Sequence, residues 1–471
     1  MKEKIVSDLK SSVVVFLVAL PLCLGIALAS NAPLSAGIIA GIVGGIVIGF
    51  ISGSDVSVSG PAAGLTVIVA MGIQQLGSFE LFCVAVTIAG LIQIILGLLK
   101  AGNLGEFFPV AVIKGMLAAI GVILITKQLK PALGITTPQW SLESFTTMQL
   151  GPLILSVVAM AILLSWEKLA QRKGNFFQLI PGPLVAVVFC VILNQIFVLV
   201  GEDGRVALPS NLWESVGFDT FDLNFSLMKV ALTIAVVASL ETLLCMDAAE
   251  KMDPLKRRPS KSRELLAQGV GNSISGLLGG LPLTSVIVRT TANINSGNKT
   301  KLSAIIHGFW LLVLVMAASQ FLNLIPLATL SSILLLLGYK LAKPSQLFEM
   351  NKRGSSQLII FLGTIIAIVA TDLLIGIFVG FFISLLLEIK KLSLKSMDIE
   401  ISEKQIHIKF VKDVSFLHRS KILKTLNHVD HHHKHVKISG LKKFKIHVDI
   451  HELLYDQKKE SEEKGINFHL D

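Results

Sequence analysis

Charge is scarce in this chain. Only 16% of its 471 residues are Asp, Glu, Lys or Arg, against 52% hydrophobic ones, and the mean hydropathy is +0.72. A soluble domain of this length carries more polar surface than that, so a polytopic membrane protein is expected. Cysteine is scarcer still: Cys23, Cys83, Cys190 and Cys245 all lie inside apolar runs, with no paired or metal-type spacing. That excludes a disulfide framework and leaves them as small buried residues. No Walker motif is present to drive an ATP-powered pump. The apolar part shows no alternating strand pattern, so helices and not a barrel must satisfy the backbone in lipid. The lead from Met1 to Lys10 is short, and the first apolar run joins closely to a second, which does not fit a cleaved signal peptide.

What is there is a series of apolar segments near the roughly 20 residues that cross a bilayer. They fall near 11–29, 34–53, 61–73, 79–99, 107–126, 150–167 and 182–200, then near 226–246, 262–280, 283–294, 301–322, 326–341, 356–371 and 373–391. A polar connection with Gly201, Gly204, Pro209 and Asn211 separates the two sets of seven. The fold expected is an all-α polytopic membrane protein of fourteen transmembrane segments. Its domains are a first repeat over 1–200, an extracytoplasmic connection over 201–225, a second repeat over 226–391 and a tail over 392–471.

The net charge of +10 has its source in the loops. Lys100, EKLAQRKGN, KMDPLKRRPSKSRE, NKTK and KLAKPSQLFEMNKRG all fall on the side of the amino terminus, with Lys127 and Lys130 as exceptions. By the positive-inside rule that side is cytoplasmic, and with fourteen spans the carboxyl end is there too. The location expected is the inner (cytoplasmic) membrane, and the charge needs no nucleic-acid partner.

In each half the third segment is short and introduced by a proline: SVSGPAAGLTVIVAMG at 57–72 and LPLTSVIVRTTANI at 281–294. Paired, Gly/Pro-interrupted short segments are the mark of an inverted-repeat transporter with a midplane site. Two half-helices whose amino ends face each other present free N–H groups and two positive dipole ends, which suits a small anion. Taken alone, Gly60 to Gly64 is also a GxxxG packing face, and Arg289 alone could reach a headgroup from a short helix. The matching segment, and the polar Thr290, Thr291 and Asn293 that follow, favour an inward-facing site. The other intramembrane charge is Glu241, halfway through VALTIAVVASLETLLCMDAAEK. It can hold a coupling cation, carry a proton, balance Arg289, or form a static bridge to it.

The runs DLKSSVVVFLVALPLCLGIALAS, APLSAGIIAGIVGGIVIGFISGS, VSGPAAGLTVIV, SLETLLCMDAAEK, PLTSVIVRTTANINSG before KT, and IPLATLSSILLLLGYKL resemble the SulP family of inorganic anion transporters over nearly all of 8–391. The resemblance implies a seven-plus-seven inverted repeat, like that of uracil permeases, divided into core and gate domains that move in an elevator-like cycle. It implies secondary transport of sulfate, bicarbonate, chloride, oxalate or dicarboxylates. Carried over, the anion pocket comprises Gly60, Pro61, Ala62 and Ala63 with Thr284, Ser285 and Arg289. Glu241 falls at the position that some members use for Na+ or H+ coupling. The chain departs from the family in placing Leu22 after Pro21, where many members have glutamine. Ala62 and Cys245 stand where sodium-coupled members have hydroxyls. The partners expected are a small inorganic anion, sulfate or bicarbonate, a co-transported Na+ or H+, the lipid bilayer and a second copy in a homodimer. The alternatives are an anion channel and a nucleobase permease of the same fold, although such permeases have a second acid where this chain has Arg289. No cofactor is called for and an enzyme is not expected.

After Lys391 the composition turns charged, with short alternating runs EISEKQIHIKF, FKIHVDI and INFHL around two polar helical stretches. They suggest a small cytosolic α/β unit and resemble a shortened STAS domain, with VDIHE where its Asp-Ser loop is usual. Ten of the eleven histidines are here. His431, His432, His433 and His435, beside His428, form a candidate metal cluster without ordered ligand spacing.

Overall fold

The computed structural model describes residues 2–102, 109–135, 147–173, 180–208, 224–394, 397–402, 405–414, 418–426, 435–446, 448–463 and 465–471. His428 and His431 to His433, with most of the polar connection, lie outside the described residues. The chain divides into two compact units, Met1–Val379 and Gly380–Asp471.

The first unit is helical. In its first half run α1 (Lys2–Ala29), α2 (Leu34–Ile51), α3 (Thr66–Leu76), α4 (Phe79–Leu98), α5 (Val110–Leu133), α6 (Leu150–Lys173) and α7 (Gly182–Phe197). Its second half has α8 (Phe225–Met252), α9 (Lys261–Leu277), α10 (Ile287–Asn295), α11 (Leu302–Leu322) and α12 (Leu327–Leu341). There follow α13 (Ser345–Lys352), α14 (Ser355–Ala370) and α15 (Leu373–Leu394), the last of which crosses into the second unit. Six helices among the described residues are long and apolar enough to cross a membrane: Glu3–Ala29, Leu34–Ile51, Phe79–Leu98, Val110–Leu133, Phe225–Met252 and Leu302–Leu322.

Two departures from the sequence reading have plain causes. The stretch KLAKPSQLFEMNKRG is read as a basic loop, yet Ser345–Lys352 is helical. Its apolar residues are too few to reveal a helix, and Lys114 on α5 anchors it through Glu349 at 2.6 Å. Helix α9 has the length of a span but a polar composition. Its Glu264, Gln268, Asn272 and Ser275 are all fully buried, so the polar face is turned into protein and away from lipid.

Glycine lets these helices approach. A methyl on Gly97 of α4 would stand 2.7 Å from Leu266 N, and one on Gly269 of α9 would stand 2.6 Å from Ile94 N and 2.7 Å from Gly90 O. A methyl on Gly90 would overlap Ser273. Backbones thus touch along the α4–α9 seam, as small residues permit in lipid. Helices α1–α4 and α8–α11 pack together as a first set, distinct from the sequence halves, and α2 is at its centre, with Gly37, Gly41, Gly44, Gly45 and Gly49 packed on neighbours. Its winding loosens to a π-helical turn over Gly44–Ile48. A second set gathers on α5, where a methyl on Gly121 would stand 2.6 Å from Gly338 O of α12 and one on Gly115 would stand 2.9 Å from Phe361 O of α14.

Charged side chains close the loops of the first set. Asp8 is buried and accepts from Lys299 N at 2.6 Å, Thr300 N at 3.0 Å and Thr300 Oγ1 at 2.6 Å. Arg257 donates to Asp253 at 2.7 and 3.1 Å and to Lys299 O at 2.9 Å, and pairs with Asp55 at 3.2 Å. The guanidinium holds the Asp253 carboxyl below the ordinary carboxylate range.

After two short strands of the first unit, β1 (Ser59–Pro61) and β2 (Leu283–Ser285), the second unit forms a four-stranded sheet in the order β3-β4-β5-β6, from Met397–Ile401, Gln405–Phe410, His435–Ser439 and Asn467–Leu470. The first pair is antiparallel, and the later pairs are parallel with helices α16 (Arg419–Leu426) and α17 (Val448–Glu463) in their connections. Alternation buries Ile406, Ile408, Val436 and Ile438 on one face. The third strand is HVKIS, and FKIHVDI is not a strand as expected. Val448 opens a helix in which Ile450, Leu453 and Leu454 share one buried face, a 3.6-residue period that outweighs the short alternation before it.

Gly269→Leu should force the α4–α9 backbones apart and destabilise the first set by about 1–3 kcal/mol or more. Thermal unfolding of the purified protein checks this; an unchanged transition would mean that the seam is loose.

Candidate functional site

The two proline-introduced segments meet. Ser59–Pro61 forms β1 and Leu283–Ser285 forms β2, and they pair antiparallel with Ser59 opposite Ser285, Gly60 opposite Thr284 and Pro61 opposite Leu283. Val286 N extends the ladder to Val58 O at 2.9 Å. The sequence reading, which sees only half-helices, misses these strands because three residues carry no visible period.

Each strand runs straight into a helix. Ala62 (φ −109, ψ 137) and Val286 (φ −115, ψ 119) are extended, and neither gives the next turn a side-chain cap. A 3-10 turn, Ala63–Leu65, leads into α3, whereas α10 begins directly at Ile287. Because the strands are antiparallel, the helices leave from opposite ends of the ribbon and both direct their positive ends at it. The first N–H groups of each helix have no earlier turn to bond. Proline serves in both halves because it favours extended backbone and has no N–H to satisfy.

Arg289 sits in the first turn of α10 and is fully buried. Its Nη2 donates to Cys23 Sγ at 3.3 Å, while Nε and Nη1 have no partner. Sulfur is a weak acceptor, so the guanidinium is held in place without being neutralised. The close neighbour is Gly60, where a methyl group would overlap Nη1. Behind Gly60 lies the glycine face of α2: a methyl on Gly44 would stand 2.5 Å from Ser59 O, and one on Gly41 2.6 Å from Cys23 Sγ. On the far side of that face, a methyl on Gly45 would stand 2.7 Å from Cε1 of the buried His307.

Glu241 stands at the other helix start. A methyl on Gly64 would be 2.6 Å from its Oε2 and 2.7 Å from Oε1, and Oε2 has no hydrogen-bond partner. Glu241 and Arg289 form no ion pair within 4.0 Å, so they are separate charges, one beside Gly64 and the other beside Gly60, and not a static bridge. Next to Glu241 along α8, Thr242 Oγ1 accepts from Ser285 N at 3.2 Å, and Cys245 Sγ accepts from Ser285 Oγ at 3.3 Å. Thr290 Oγ1 in turn accepts from Val58 N at 3.1 Å.

Of the residues expected to form the pocket, Gly60, Pro61, Ala62 and Ala63 lie along β1 and the start of α3. Thr284, Ser285 and Arg289 lie along β2 and the start of α10. The hydroxyls of Thr284 and Ser285 are engaged locally, the former with Ser285 O at 3.1 Å. Ala63, Glu241 and Val286 are partly exposed, whereas Arg289 is not. Arg289 is thus shielded more fully than these three residues. Thr290, expected from sequence to mark an inward-facing segment, is beside the ribbon, and Cys23, Thr242 and His307 are further neighbours that the sequence does not assign to the site. His435 begins β5 and is exposed; the rest of its cluster lies outside the described residues, and no group of three metal-type ligands occurs among the described residues.

Three positive centres and one carboxylate around a short ribbon make an electrostatic environment suited to a small anion. Gly64→Ala should push the Glu241 carboxylate off the start of α3 and, with that negative charge withdrawn, tighten binding of labelled sulfate to purified protein by about tenfold. Gly201→Ala, with open space at its Cβ position, should leave binding unchanged; equal behaviour of the two variants would contradict this geometry.

Comparison with known proteins identifies the family. Residues 5–364 match the sulfate permease family. The chain is 27% identical over 404 residues to the putative sulfate transporter YvdB of Bacillus subtilis, covering 83% of this chain and 75% of that protein. It is 30% identical over 407 residues to the bicarbonate transporter BicA of a Picosynechococcus species, covering 82% and 70%. The solved transmembrane domain of a cyanobacterium BicA matches with TM-score 0.68 at 24% identity, over 81% of this chain and 97% of that one. The overall structure of SLC26A9 matches with TM-score 0.78 at 15% identity, over 100% and 84%. At those identities the structural likeness is one of fold. The family match over most of the chain makes this multi-pass membrane protein a member of the sulfate permease family, which consists of transporters and not enzymes.

Proposed function

We propose that the chain is a secondary active transporter of small inorganic anions, sulfate or bicarbonate, and that the anion binds between the starts of α3 and α10. The observation that carries this reading is the buried guanidinium of Arg289 with two unpartnered nitrogens beside Gly60. An uncompensated buried charge costs several kcal/mol, and an anion at the ribbon relieves it. The sulfate and bicarbonate transporters among the relatives support the same substrate class.

Charge balance suggests how coupling works. Each helix start is equivalent to about half a positive charge, which with Arg289 gives about +2. An ionised Glu241 brings this to about +1, suited to bicarbonate. A proton or a sodium ion at Glu241 restores about +2, suited to sulfate. Glu241 is the coupling residue in this reading, and its place at Gly64, apart from Arg289, supports the assignment.

Fourteen segments in a seven-plus-seven inverted repeat, with both termini cytoplasmic, complete the proposal. The set containing α1–α4 and α8–α11 is the core, and the set built on α5 is the gate. The core carries the site past the gate in an elevator-like cycle, in a homodimer. The second unit is a STAS-like cytosolic domain.

Uptake of labelled sulfate and bicarbonate into proteoliposomes, under imposed sodium or proton gradients, tests this. Arg289→Ala should reduce anion affinity by about 100-fold or more, and Glu241→Gln should remove the gradient dependence. Normal uptake by Arg289→Ala, or uptake of uracil in place of anions, would refute the proposal. An unchanged gradient profile in Glu241→Gln would leave Glu241 a structural residue.

A further inference from the structure

A two-stranded ribbon of three residues is too short to hold itself together in any solvent. Something outside it must fix its register. Helix α9 presents Glu264, Gln268 and Asn272 at intervals of four, which places them on one face. All three are fully buried, and each reaches the ribbon or its approach.

Asn272 makes the closest match. Its Oδ1 accepts from Leu283 N at 2.6 Å and its Nδ2 donates to Leu283 O at 3.1 Å, so one side-chain amide pairs with both peptide groups of a β2 residue, as a neighbouring strand would. The same Nδ2 donates to Gln93 Oε1 at 2.7 Å, and Gln93 Nε2 donates to Ser239 Oγ at 3.1 Å, which ties the amide to α4 and α8. Gln268 serves β1: its Nε2 donates to Ser59 Oγ at 2.7 Å and to Glu264 Oε1 at 3.0 Å. Glu264 Oε2 accepts from Ser52 Oγ at 2.5 Å, at the end of α2. Ser275 Oγ donates to Leu281 O at 2.7 Å, just before β2. A carboxamide is required at 272, which both donates and accepts, and a donor at 268, whose Oε1 has no partner; alanine makes none of these bonds and a carboxylate cannot donate.

We infer that the polar face of α9 is a side-chain clamp that sets the spacing of the two helix starts, with Asn272 and Gln268 as positioning residues for anion selection. The assignment of a role in selection rests on the anion-site reading above; the clamp does not. Asn272 touches no anion. It acts through Leu283, two residues before Ser285 and six before Arg289, so a loosened β2 lets the arginine and the start of α10 drift together. A site of fixed span discriminates between planar bicarbonate and tetrahedral sulfate, whereas a slack one does so less.

Hydrogen exchange on the full chain in lipid nanodiscs, with no anion added, reads the clamp; uptake kinetics read its consequence. In Asn272→Ala, exchange at Leu283 to Ser285 should accelerate by about tenfold. The KM for sulfate should rise by about tenfold with the maximal rate within about threefold, and the sulfate-to-bicarbonate preference should shrink. If Asn272→Ala does not accumulate, Gln268→Ala should give the same pattern with faster exchange at Val58 to Gly60. Unchanged exchange in the folded variant would overturn the clamp. Faster exchange with unchanged KM and preference would overturn the positioning role. A wild-type protein that transports no anion would contradict the transport reading alone, since the exchange measurement needs none.

Discussion

A guanidinium buried beside a glycine backbone, with two of its three nitrogens unbonded, is the constraint on which the rest of this protein turns. Left alone it would be among the costliest groups in the chain. Two helix starts of the same sign at the ribbon deepen the imbalance, because nothing in the ribbon itself is negative. The carboxylate of Glu241, beside Gly64, offsets part of it. Such an arrangement favours a small anion as its occupant, which is the basis of the proposed function.

Everything around the ribbon serves to keep that imbalance in place. Proline delivers extended backbone at the entry to each helix without an N–H to satisfy. Gly60 leaves the room that the guanidinium fills, and the glycine face of α2 lets the strand and α1 close over it. From α8, Thr242 and Cys245 hold Ser285, and from α9 a ladder of amides holds both strands. These contacts come from helices far apart in the sequence. Rigid support from several elements is what a site needs when the ion it selects has few atoms to recognise.

Much of this was legible from residues alone. Segment positions followed from hydropathy, and the paired short segments followed from Pro61 and Pro282 at matching places. Arg289 and Glu241 were conspicuous because charge inside an apolar run is costly. The strands were hidden, since Ser59–Pro61 and Leu283–Ser285 are too short to show a period. Cys23 was invisible as a neighbour of Arg289, because nothing in sequence links positions 266 apart. The amide face of α9 was there to be read in Glu264, Gln268 and Asn272. Spacing of four reveals a shared face, but only packing reveals that the face looks inward. In the tail the alternation of FKIHVDI pointed to a strand one connection too late, because a short period-2 run and the start of an amphipathic helix share the same first residues.

The central claim is that the anion lies at the ribbon crossing, between the first turns of α3 and α10. A structure of the protein soaked with selenate or bromide, phased on their anomalous scattering, tests it directly. The account predicts one strong peak within hydrogen-bonding distance of the first free N–H groups of both helices, lost in Arg289→Ala. A peak elsewhere in the membrane unit, with this position empty at saturating anion, would contradict it.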